Sequence, residues 1–281
     1  MLKRVRVVSH AYEVVRVVCV YVVAIAVLAG IMAFVGWHGS AVATGLLIAL
    51  IAGGMVFEVH RAVRDLRGQS HSARQAAAEA ERHYVEVLRR IISFVEGRER
   101  HWCGHSKNVG RLARRIARQM DLPEAFCEKL SLAGQLHDIG LLAIPEACIS
   151  GADGFGIEEF RSLQKHSDVS YEVLKPLLML ADVLPAIRAH HERMNGTGYP
   201  DGLAGEDIPL GGRILAVADA YDAMTHDRPH RPAMSPLAAM RELRRCCPAG
   251  YDPACVEALA EALNVPALEE ACAAARVTCR V

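Results

Sequence analysis

The chain has 281 residues, enough for one or two domains that each bury a hydrophobic core. Its 32 basic and 32 acidic residues give a formal net charge of zero, which argues against a broad binding face for a nucleic acid polymer. Nine cysteines show no paired CxxC spacing, so we expect reduced thiols rather than a disulfide framework or a cysteine-zinc cluster. Thirteen histidines, several of them in the middle of the chain, are the unusual part of the composition.

Two apolar runs dominate the first part of the chain. The first covers residues 17–35 and contains no charge, and the second covers residues 41–57. A 19-residue helix is about 28 Å long, which matches a hydrocarbon core of roughly 30 Å. A signal peptide is the competing interpretation of the first run, but no clear cleavage site follows it and a second apolar run comes at once. The pattern predicts a membrane region at residues 1–66 with two transmembrane helices.

Basic residues precede the first run and follow the second, whereas the turn at residues 36–40 has no lysine or arginine. They are Lys3, Arg4, Arg6, Arg16, Arg61, Arg64 and Arg67. Positively charged flanks stay on the cytoplasmic side of a membrane. We therefore expect an inner (cytoplasmic) membrane protein with both termini and the catalytic domain in the cytoplasm.

Residues 67–97 form a polar, alanine-rich and charged linker. Within it, Tyr84, Leu88, Ile91 and Val95 repeat at 4-3-4 spacing, which is typical of an amphipathic helix or a short coiled coil. Two interpretations remain open at this point. The helix either packs on its own domain or forms a parallel homodimer via residues 84–95.

Residues 98–281 show apolar positions at helical spacing. One predicted stripe consists of Val109, Leu112, Ile116 and Met120. Residues 214–222 are apolar with two carboxylates, Asp219 and Asp222, three positions apart on one helical face. A buried strand could begin this way, but flanking alanines and the continuing period favour a helix. Because no segment alternates convincingly, we predict an all-α domain with a terminal helix in residues 266–281.

Histidine and aspartate side chains recur in or next to the predicted helices of this domain. The set consists of His105, His137, Asp138, His166, His190, His191 and Asp219. An isolated histidine pair is more often one buried and one exposed residue, but here the chain supplies matching partners. Adjacent side chains on a helix diverge by about 100°, so His190 and His191 suit two neighbouring ions better than one.

Asp138 could bridge two such ions while His137 binds one of them. A mixed nitrogen and oxygen donor set fits iron or manganese at least as well as zinc. Two ions roughly 3.5–4 Å apart activate water and hold a phosphoryl group during in-line displacement. The sequence therefore predicts a binuclear centre with two divalent ions.

These residues, in this order, resemble the HD-GYP family, a branch of the HD superfamily of phosphohydrolases. The resemblance runs from about residue 98 to residue 261 and leaves out the apolar runs and the linker. The motifs that carry it are His105-Ser106, Leu136-His137-Asp138-Ile139-Gly140, Ala143-Ile144-Pro145, His166, His190-His191-Glu192, Gly196-Thr197-Gly198-Tyr199-Pro200-Asp201-Gly202, Ile208-Pro209-Leu210, Arg213-Ile214-Leu215-Ala216-Val217-Ala218-Asp219, Arg228-Pro229 with Arg231, and Tyr251-Asp252-Pro253. We refer to residues 195–202 as the GYP turn.

The resemblance implies a helical bundle of the HD type that acts as a cyclic di-GMP phosphodiesterase, producing linear pGpG with GMP as a further product. It implies that the seven residues of the histidine and aspartate set hold the metals, with His137 and Asp138 at the catalytic centre. Arg228, Arg231, Tyr199 and Gly198 match positions on the substrate side. The arginines could instead form a surface salt-bridge pair. The GYP turn is implied as a docking surface for a protein partner, or as a structural turn.

Three positions depart from the family pattern. Leu141 stands where the HD-x-G-K motif has a lysine, and residues 150–156 lack the usual Lys-Pro-Gly stretch, with Lys165 a candidate replacement. His101 lies four residues before His105, where some members place a glutamate for a third metal, and could be an extra ligand or an exposed residue. These departures leave two alternatives: a weakly active or inactive module that binds cyclic di-GMP or docks a partner, and a hydrolase of another cyclic dinucleotide or nucleotide.

Overall fold

The computed structural model describes residues 19–23, 25–27, 29–30, 41–97, 103–145, 148, 156–227 and 231–265. The chain divides into two compact units, Met1–Glu79 and Ala80–Val281. Every regular element in the described residues is a helix, and one isolated antiparallel bridge pairs Asn195 with Ala204. The all-α expectation is therefore confirmed for the described part of the chain.

The first unit contains the two predicted membrane runs. Of the run at residues 17–35, the structure describes residues 19–23, 25–27 and 29–30, all of them helical. The turn at residues 36–40 lies outside the described residues. Helix α1 (Ala41–Glu96) contains the one described segment that is long and apolar enough to cross a membrane, with a mean hydropathy of 1.7 over 18 residues and none of that window buried. A span at residues 17–35, and with it the hairpin of two spans, stays a prediction.

The second unit is built from helices joined by loops and short 3₁₀ helices. After α1 come α2 (His105–Gln119), α3 (Glu124–Leu136), α4 (Ile157–Gln164), α5 (His166–Leu174), α6 (Leu184–Arg188), α7 (Leu210–Thr225), α8 (Pro236–Arg245) and α9 (Pro253–Leu263). Short 3₁₀ helices lie at Ile139–Ala143, Leu178–Leu180 and Gly205–Asp207. Proline in the first turn opens α8 and α9, and each has a side-chain N-cap, Ser235 for α8 and Asp252 for α9. The predicted residues 266–281 of the terminal helix lie outside the described part.

Helix α2 lies at the centre of this unit and packs against α3, α7 and α9. Its predicted stripe is the buried one, since Val109 and Ile116 are fully buried and Leu112 is 5% exposed. Helix α5 packs against the 3₁₀ helix Ile139–Ala143 and against α6, and α6 packs against α7. Burial of these apolar faces, at roughly 25 cal/mol per Å² removed from water, holds together the helix ends that carry the predicted ligands.

The last turns of α1, which belong to the second unit, are buried there through a face other than the expected one. The buried side chains there are Val85, Leu88 and Ile92, which are 5–6% exposed. By contrast, Tyr84 and Ile91 are 46% and 39% exposed. The expectation that Tyr84, Leu88, Ile91 and Val95 share one face is thus wrong. Leu88 is buried in its own domain, whereas Tyr84 and Ile91 face outward. Residues i and i+4 share a face only approximately, and here the side of the helix centred on Leu88 is the one buried against the domain.

Candidate metal centre

Five helix ends or helix faces bring the seven predicted ligands together. His105 opens α2, His137 and Asp138 follow α3, His166 opens α5, His190 and His191 follow α6, and Asp219 lies within α7. The ligand atoms of Asp138, His166, His190 and His191 lie within 4.8 Å of one another, and so do those of His105, His137 and Asp138. Asp219 Oδ1 lies 3.4 Å from His105 Nε2 and so joins the second group. The structure therefore places two donor groups side by side with Asp138 in both.

The two carboxylate oxygens of Asp138 face different histidines. Its Oδ2 lies 3.2 Å from His137 Nε2 and 3.6 Å from His105 Nε2. Its Oδ1 lies 3.5 Å from His166 Nε2 and 3.8 Å from His190 Nε2. A carboxylate shared in this way between two donor groups is the arrangement that a bridging ligand of a two-metal site requires.

Hydrogen bonds to Nδ1 decide which histidine nitrogen faces Asp138. In His137, His166 and His190, Nδ1 lies 2.8, 2.6 and 2.6 Å from the backbone carbonyl oxygen three residues earlier. A carbonyl oxygen only accepts hydrogen bonds, so Nδ1 of each ring carries the proton and donates it. The lone pair on Nε2 is then left pointing into the site, as in histidines that ligate metals.

The donor set fits a pair of divalent metal ions. His166 Nε2 lies 3.4 Å from His190 Nε2, yet both nitrogens carry lone pairs and neither can donate to the other. In addition, His137 Nε2 is buried and makes no hydrogen bond within the described residues. Facing lone pairs in one donor group and a buried nitrogen without a hydrogen bond in the other are unfavourable by themselves, and a cation in each group would satisfy them. Imidazole nitrogens mixed with carboxylate oxygens suit iron, manganese or zinc.

Burial keeps two of the histidines neutral. It lowers the pKa of His190 well below its usual value, and the neighbouring His191 and His137 lower it further. Burial likewise lowers the pKa of His191 to about 4. Both rings are therefore uncharged at neutral pH, which is the form that binds a metal ion.

Asp222 is a candidate functional residue to which the sequence analysis gave no role. It is 3% exposed, and its Oδ2 lies 2.7 Å from His105 Nδ1. Burial lowers the pKa of His105, but hydrogen bonds to Asp138 and Asp222 and the charge of Asp219 outweigh it and raise the pKa to about 10, so a metal ion that binds at Nε2 would displace a proton from this ring. Asp222 therefore turns Nε2 of His105 towards Asp138. The signal in the sequence was the spacing of three from Asp219, which puts both carboxylates on one face of α7.

We expect Asp222→Ala to weaken metal binding about tenfold to a hundredfold, the usual effect of losing a carboxylate that orients a ligating histidine. The measurement is a Mn(II) titration of the full chain in detergent. Asp182→Ala is the matched control, since this carboxylate is 62% exposed and pairs with Lys129 at the surface. Equal affinities in the two variants, with unchanged melting temperatures, would contradict an orienting role for Asp222.

Tyr199 of the GYP turn lies beside the histidines. Its ring centroid is 4.8 Å from that of His191, at an interplanar angle of 31°, and 6.3 Å from that of His166. Burial raises the pKa of Tyr199, so its hydroxyl stays protonated at neutral pH and can donate a hydrogen bond. The turn therefore supplies one wall of the site.

Buried polar contacts hold the GYP turn in place. The carboxylate of Glu192, which is 2% exposed, accepts hydrogen bonds from the backbone N–H groups of Asp201 and Gly202 at 2.8 and 3.1 Å. Arg188 of α6 donates to the Asp201 carboxylate as well. At Gly198 an added Cβ would lie 2.4 Å from the Cα of Glu192, so this position accepts only glycine without a backbone shift. The turn is thus fixed against the end of α6, next to the histidine pair.

The other predicted site residues fall into two groups. His101, Arg228 and residues 149–155 lie outside the described part of the chain. Arg231 is described, and its Nη2 donates to the backbone carbonyl of Ala223 in α7 at 2.7 Å, which holds its guanidinium against that helix. Leu141 is partly exposed in the 3₁₀ helix Ile139–Ala143, and Lys165 is exposed between α4 and α5.

Comparison with protein families agrees with this geometry. Residues 86–255 match the family model described as HD domain, which is more than half of the chain. The chain belongs to the HD domain family. The match spans the last turns of α1 and all the described elements that carry the seven residues, so the HD domain includes both donor groups around Asp138.

Relatives of this HD domain have names that point to cyclic dinucleotides. The chain is 34% identical over 208 residues to the cyclic di-GMP phosphodiesterase response regulator RpfG of Xanthomonas campestris, covering 69% of this chain and 55% of that protein. It is 34% identical over 191 residues to a cyclic di-GMP phosphodiesterase of Thermotoga maritima, covering 66% and 51%. It is 33% identical over 183 residues to 3′3′-cGAMP-specific phosphodiesterase 3 of Vibrio cholerae, covering 65% and 40%. The chain thus spans about half the length of these relatives.

Solved structures share the fold of the HD domain. Bd1817, an HDG"Y"P protein from Bdellovibrio bacteriovorus, aligns with a TM-score of 0.51 at 18% identity over 66% of this chain and 64% of that one. The Vibrio cholerae cyclic GMP-AMP phosphodiesterase V-cGAP3 aligns with a TM-score of 0.52 at 19% identity, over 65% and 49%. At these identities the likeness concerns the fold alone.

Proposed function

We propose that the HD domain is a metal-dependent phosphodiesterase that hydrolyses cyclic di-GMP to pGpG, with GMP as a further product. The observation that carries the proposal is the Asp138 carboxylate, whose two oxygens face separate histidine groups. The names of the Xanthomonas and Thermotoga relatives support the substrate. The motifs of the HD-GYP branch, quoted above, support the same choice.

Two divalent metal ions, iron or manganese rather than zinc, would supply Lewis-acid activation of water and of the scissile phosphate when bound. The residues that would hold one ion are His105, His137, Asp138 and Asp219, and those for the other are Asp138, His166, His190 and His191. Backbone carbonyls and Asp222 fix the rings so that Nε2 faces inward before any ligand arrives. Preorganised ligands of this kind spend no reorganisation energy during the reaction.

On the substrate side, two arginines match the phosphate contacts of the family pattern, and the structure describes one of them, Arg231. Arg231 has one of its five N–H donors engaged by the Ala223 carbonyl, which leaves others for a phosphate oxygen. Tyr199 limits access of water along one side of the histidine pair and can donate from its hydroxyl. Arg228 completes the proposed phosphate contacts, and guanidinium groups match phosphate geometry well.

The proposal is tested with the full chain in detergent, purified anaerobically. Metal content is measured first, and turnover of cyclic di-GMP and of 3′3′-cGAMP is then followed with added Fe(II) or Mn(II). Two metals per chain and linear pGpG support the proposal. Bound metal with saturable cyclic di-GMP binding but no turnover would make the domain a receptor, and faster hydrolysis of 3′3′-cGAMP would change the substrate, as the Vibrio relative suggests. A chain that binds no metal would refute the metal centre.

Leu141→Lys is expected to raise kcat/KM for cyclic di-GMP about tenfold to a hundredfold. The substitution restores the cation that the family pattern places near the substrate phosphate, and a charge-assisted hydrogen bond contributes about 1.5–3 kcal/mol. Leu142→Lys is the control, because Leu142 is the next residue of the same 3₁₀ helix and is 49% exposed. An equal gain in both variants would show general electrostatic attraction rather than a specific contact.

We also propose that residues 1–66 anchor the domain in the inner membrane through a helical hairpin with both termini in the cytoplasm. The uncharged run at residues 17–35 and the apolar window of α1 support the two spans. In that window Leu46, Ile48 and Leu50 are 61–74% exposed, which suits contact with lipid. Release of the chain from membranes by alkaline carbonate would contradict the anchor.

A further inference from the structure

Large apolar side chains remain exposed on the last turns of α1. They are Tyr84, Val87, Ile91 and Phe94, with exposures of 46%, 39%, 39% and 74%. Their spacing alternates between three and four residues, so they form one continuous stripe. The stripe is separate from the face that is buried in the domain through Val85 and Ile92. An exposed apolar stripe of this size marks an interaction surface.

The same spacing continues upstream along the sequence of α1. The positions are Val59, Val63, Leu66, Ser70, Ala73, Ala77 and Ala80, all exposed. Together with the four residues above they form the seam, eleven positions from Val59 to Phe94 at strict 3-4 alternation. Ten of the eleven are apolar, and Ser70 is the exception. At 1.5 Å per residue the seam is about 54 Å long.

The period of the seam indicates what kind of partner can cover it. A strict seven-residue repeat drifts by about 20° per heptad on a straight helix, hence by about 100° over five heptads. A flat or globular partner would lose contact with such a winding stripe. Another helix with the same repeat keeps contact along the whole length, because the two helices supercoil around each other.

We propose that the seam pairs with the seam of a second copy of this chain, in a parallel and in-register two-stranded coiled coil. A second copy has the required repeat and length by identity. In this register, residues that flank the seam in one copy face residues that flank it in the other. These pairs are Ala62–Arg67, Gln69–Arg74, Ala76–Glu81, His83–Leu88 and Arg90–Val95. None of them sets like charges opposite each other, so nothing in the flanks opposes parallel pairing. This proposal is independent of the proposed catalysis.

Cysteine cross-linking of the full chain in detergent tests the pairing and its direction. Leu66→Cys and Ala80→Cys lie at seam positions 14 residues apart, and Gln75→Cys on the outer side of the same helix is the matched control. Parallel pairing predicts that both seam variants form disulfide-linked dimers at least tenfold faster than the control. Cross-linking of only one seam variant would indicate antiparallel pairing and overturn the proposal. Equal rates at all three positions, above the wild-type background from native thiols, would overturn it too.

Charge placed in the seam gives a second, independent test by light scattering. Ile91→Glu is expected to convert the dimer to a monomer, whereas Arg82→Glu, on the outer side of α1, is expected to stay dimeric. Because Ile91 is 39% exposed in the second unit, the fold of that unit and the metal content per chain should stay unchanged. A monomeric wild-type chain at micromolar concentration, or equal masses for the two variants, would refute the proposal.

Discussion

Asp138→Ala is expected to abolish turnover of cyclic di-GMP and to remove bound metal. Asp138 is the residue shared by both donor groups, with oxygens 3.2–3.8 Å from four histidine nitrogens. Burial raises its pKa, but His137, His105 and His166 outweigh burial and hold the pKa well below its usual value, so the carboxylate is charged at neutral pH. Its loss leaves the two donor groups without their common anion.

The expected fall in kcat is at least about a thousandfold, since metal ions contribute several kcal/mol of transition-state stabilisation and 1.36 kcal/mol is a factor of ten. Metal content per chain, measured on the same sample, should fall from two to one or none. Asp182→Ala serves as the control at an exposed carboxylate. A variant that keeps both metals and more than a tenth of wild-type activity would show that Asp138 does not bridge.

Gly140→Ala is expected to lower the stability of the second unit by about 1–3 kcal/mol or more, the usual cost of overpacking. An added Cβ would lie 2.1 Å from the carbonyl oxygen of His166 and 2.8 Å from the amide nitrogen of Ser170. Both atoms belong to the backbone of α5 and cannot rotate away. The Gly140 N–H also donates to Ser170 Oγ at 2.9 Å, and the shift would break this hydrogen bond.

For a unit of roughly 200 residues, that loss corresponds to a melting temperature lower by about 2–12 °C. Because the clash acts on His166, the variant should also bind metal more weakly. Gly68→Ala is the matched control, since nothing lies within 4 Å of its Cβ position in helix α1, and alanine there should be neutral or slightly stabilising. Wild-type melting and metal content in Gly140→Ala would mean that α5 can move away at little cost.

The helices, and which histidines and aspartates come together in the candidate metal centre, could be predicted from the sequence because their signals are local. The stripe of α2 has one apolar face, so its period alone identifies the buried side. Several histidines of the candidate metal centre likewise stand in short motifs, such as Leu136-His137-Asp138-Ile139-Gly140 and His190-His191-Glu192. Asp222 was the exception, since its partner His105 is 117 residues away and only the packing of α2 against α7 brings them together.

The end of α1 shows why the buried face of residues 84–95 could not be assigned correctly from the sequence. Apolar residues cover two faces of this helix, so a spacing of three and four residues can be drawn through residues that belong to different faces. Leu88 is buried with Val85, whereas Tyr84 and Ile91 belong to the exposed face. Which face a domain covers depends on the shape of the domain, and the spacing within one helix carries no such information.

The hydrogen bonds that orient the histidines also determine how the metal centre tolerates mutation. His137, His166 and His190 are each oriented by a main-chain oxygen of the preceding turn, which every amino acid supplies. Substitutions that preserve those turns can therefore accumulate nearby without reorienting the three rings. The orientation of His105 depends instead on a single side chain, Asp222, so one substitution at that position removes the hydrogen bond that orients the ring. Among residues that are not themselves ligands, a single substitution is therefore expected to disturb ring orientation most readily at position 222 of α7.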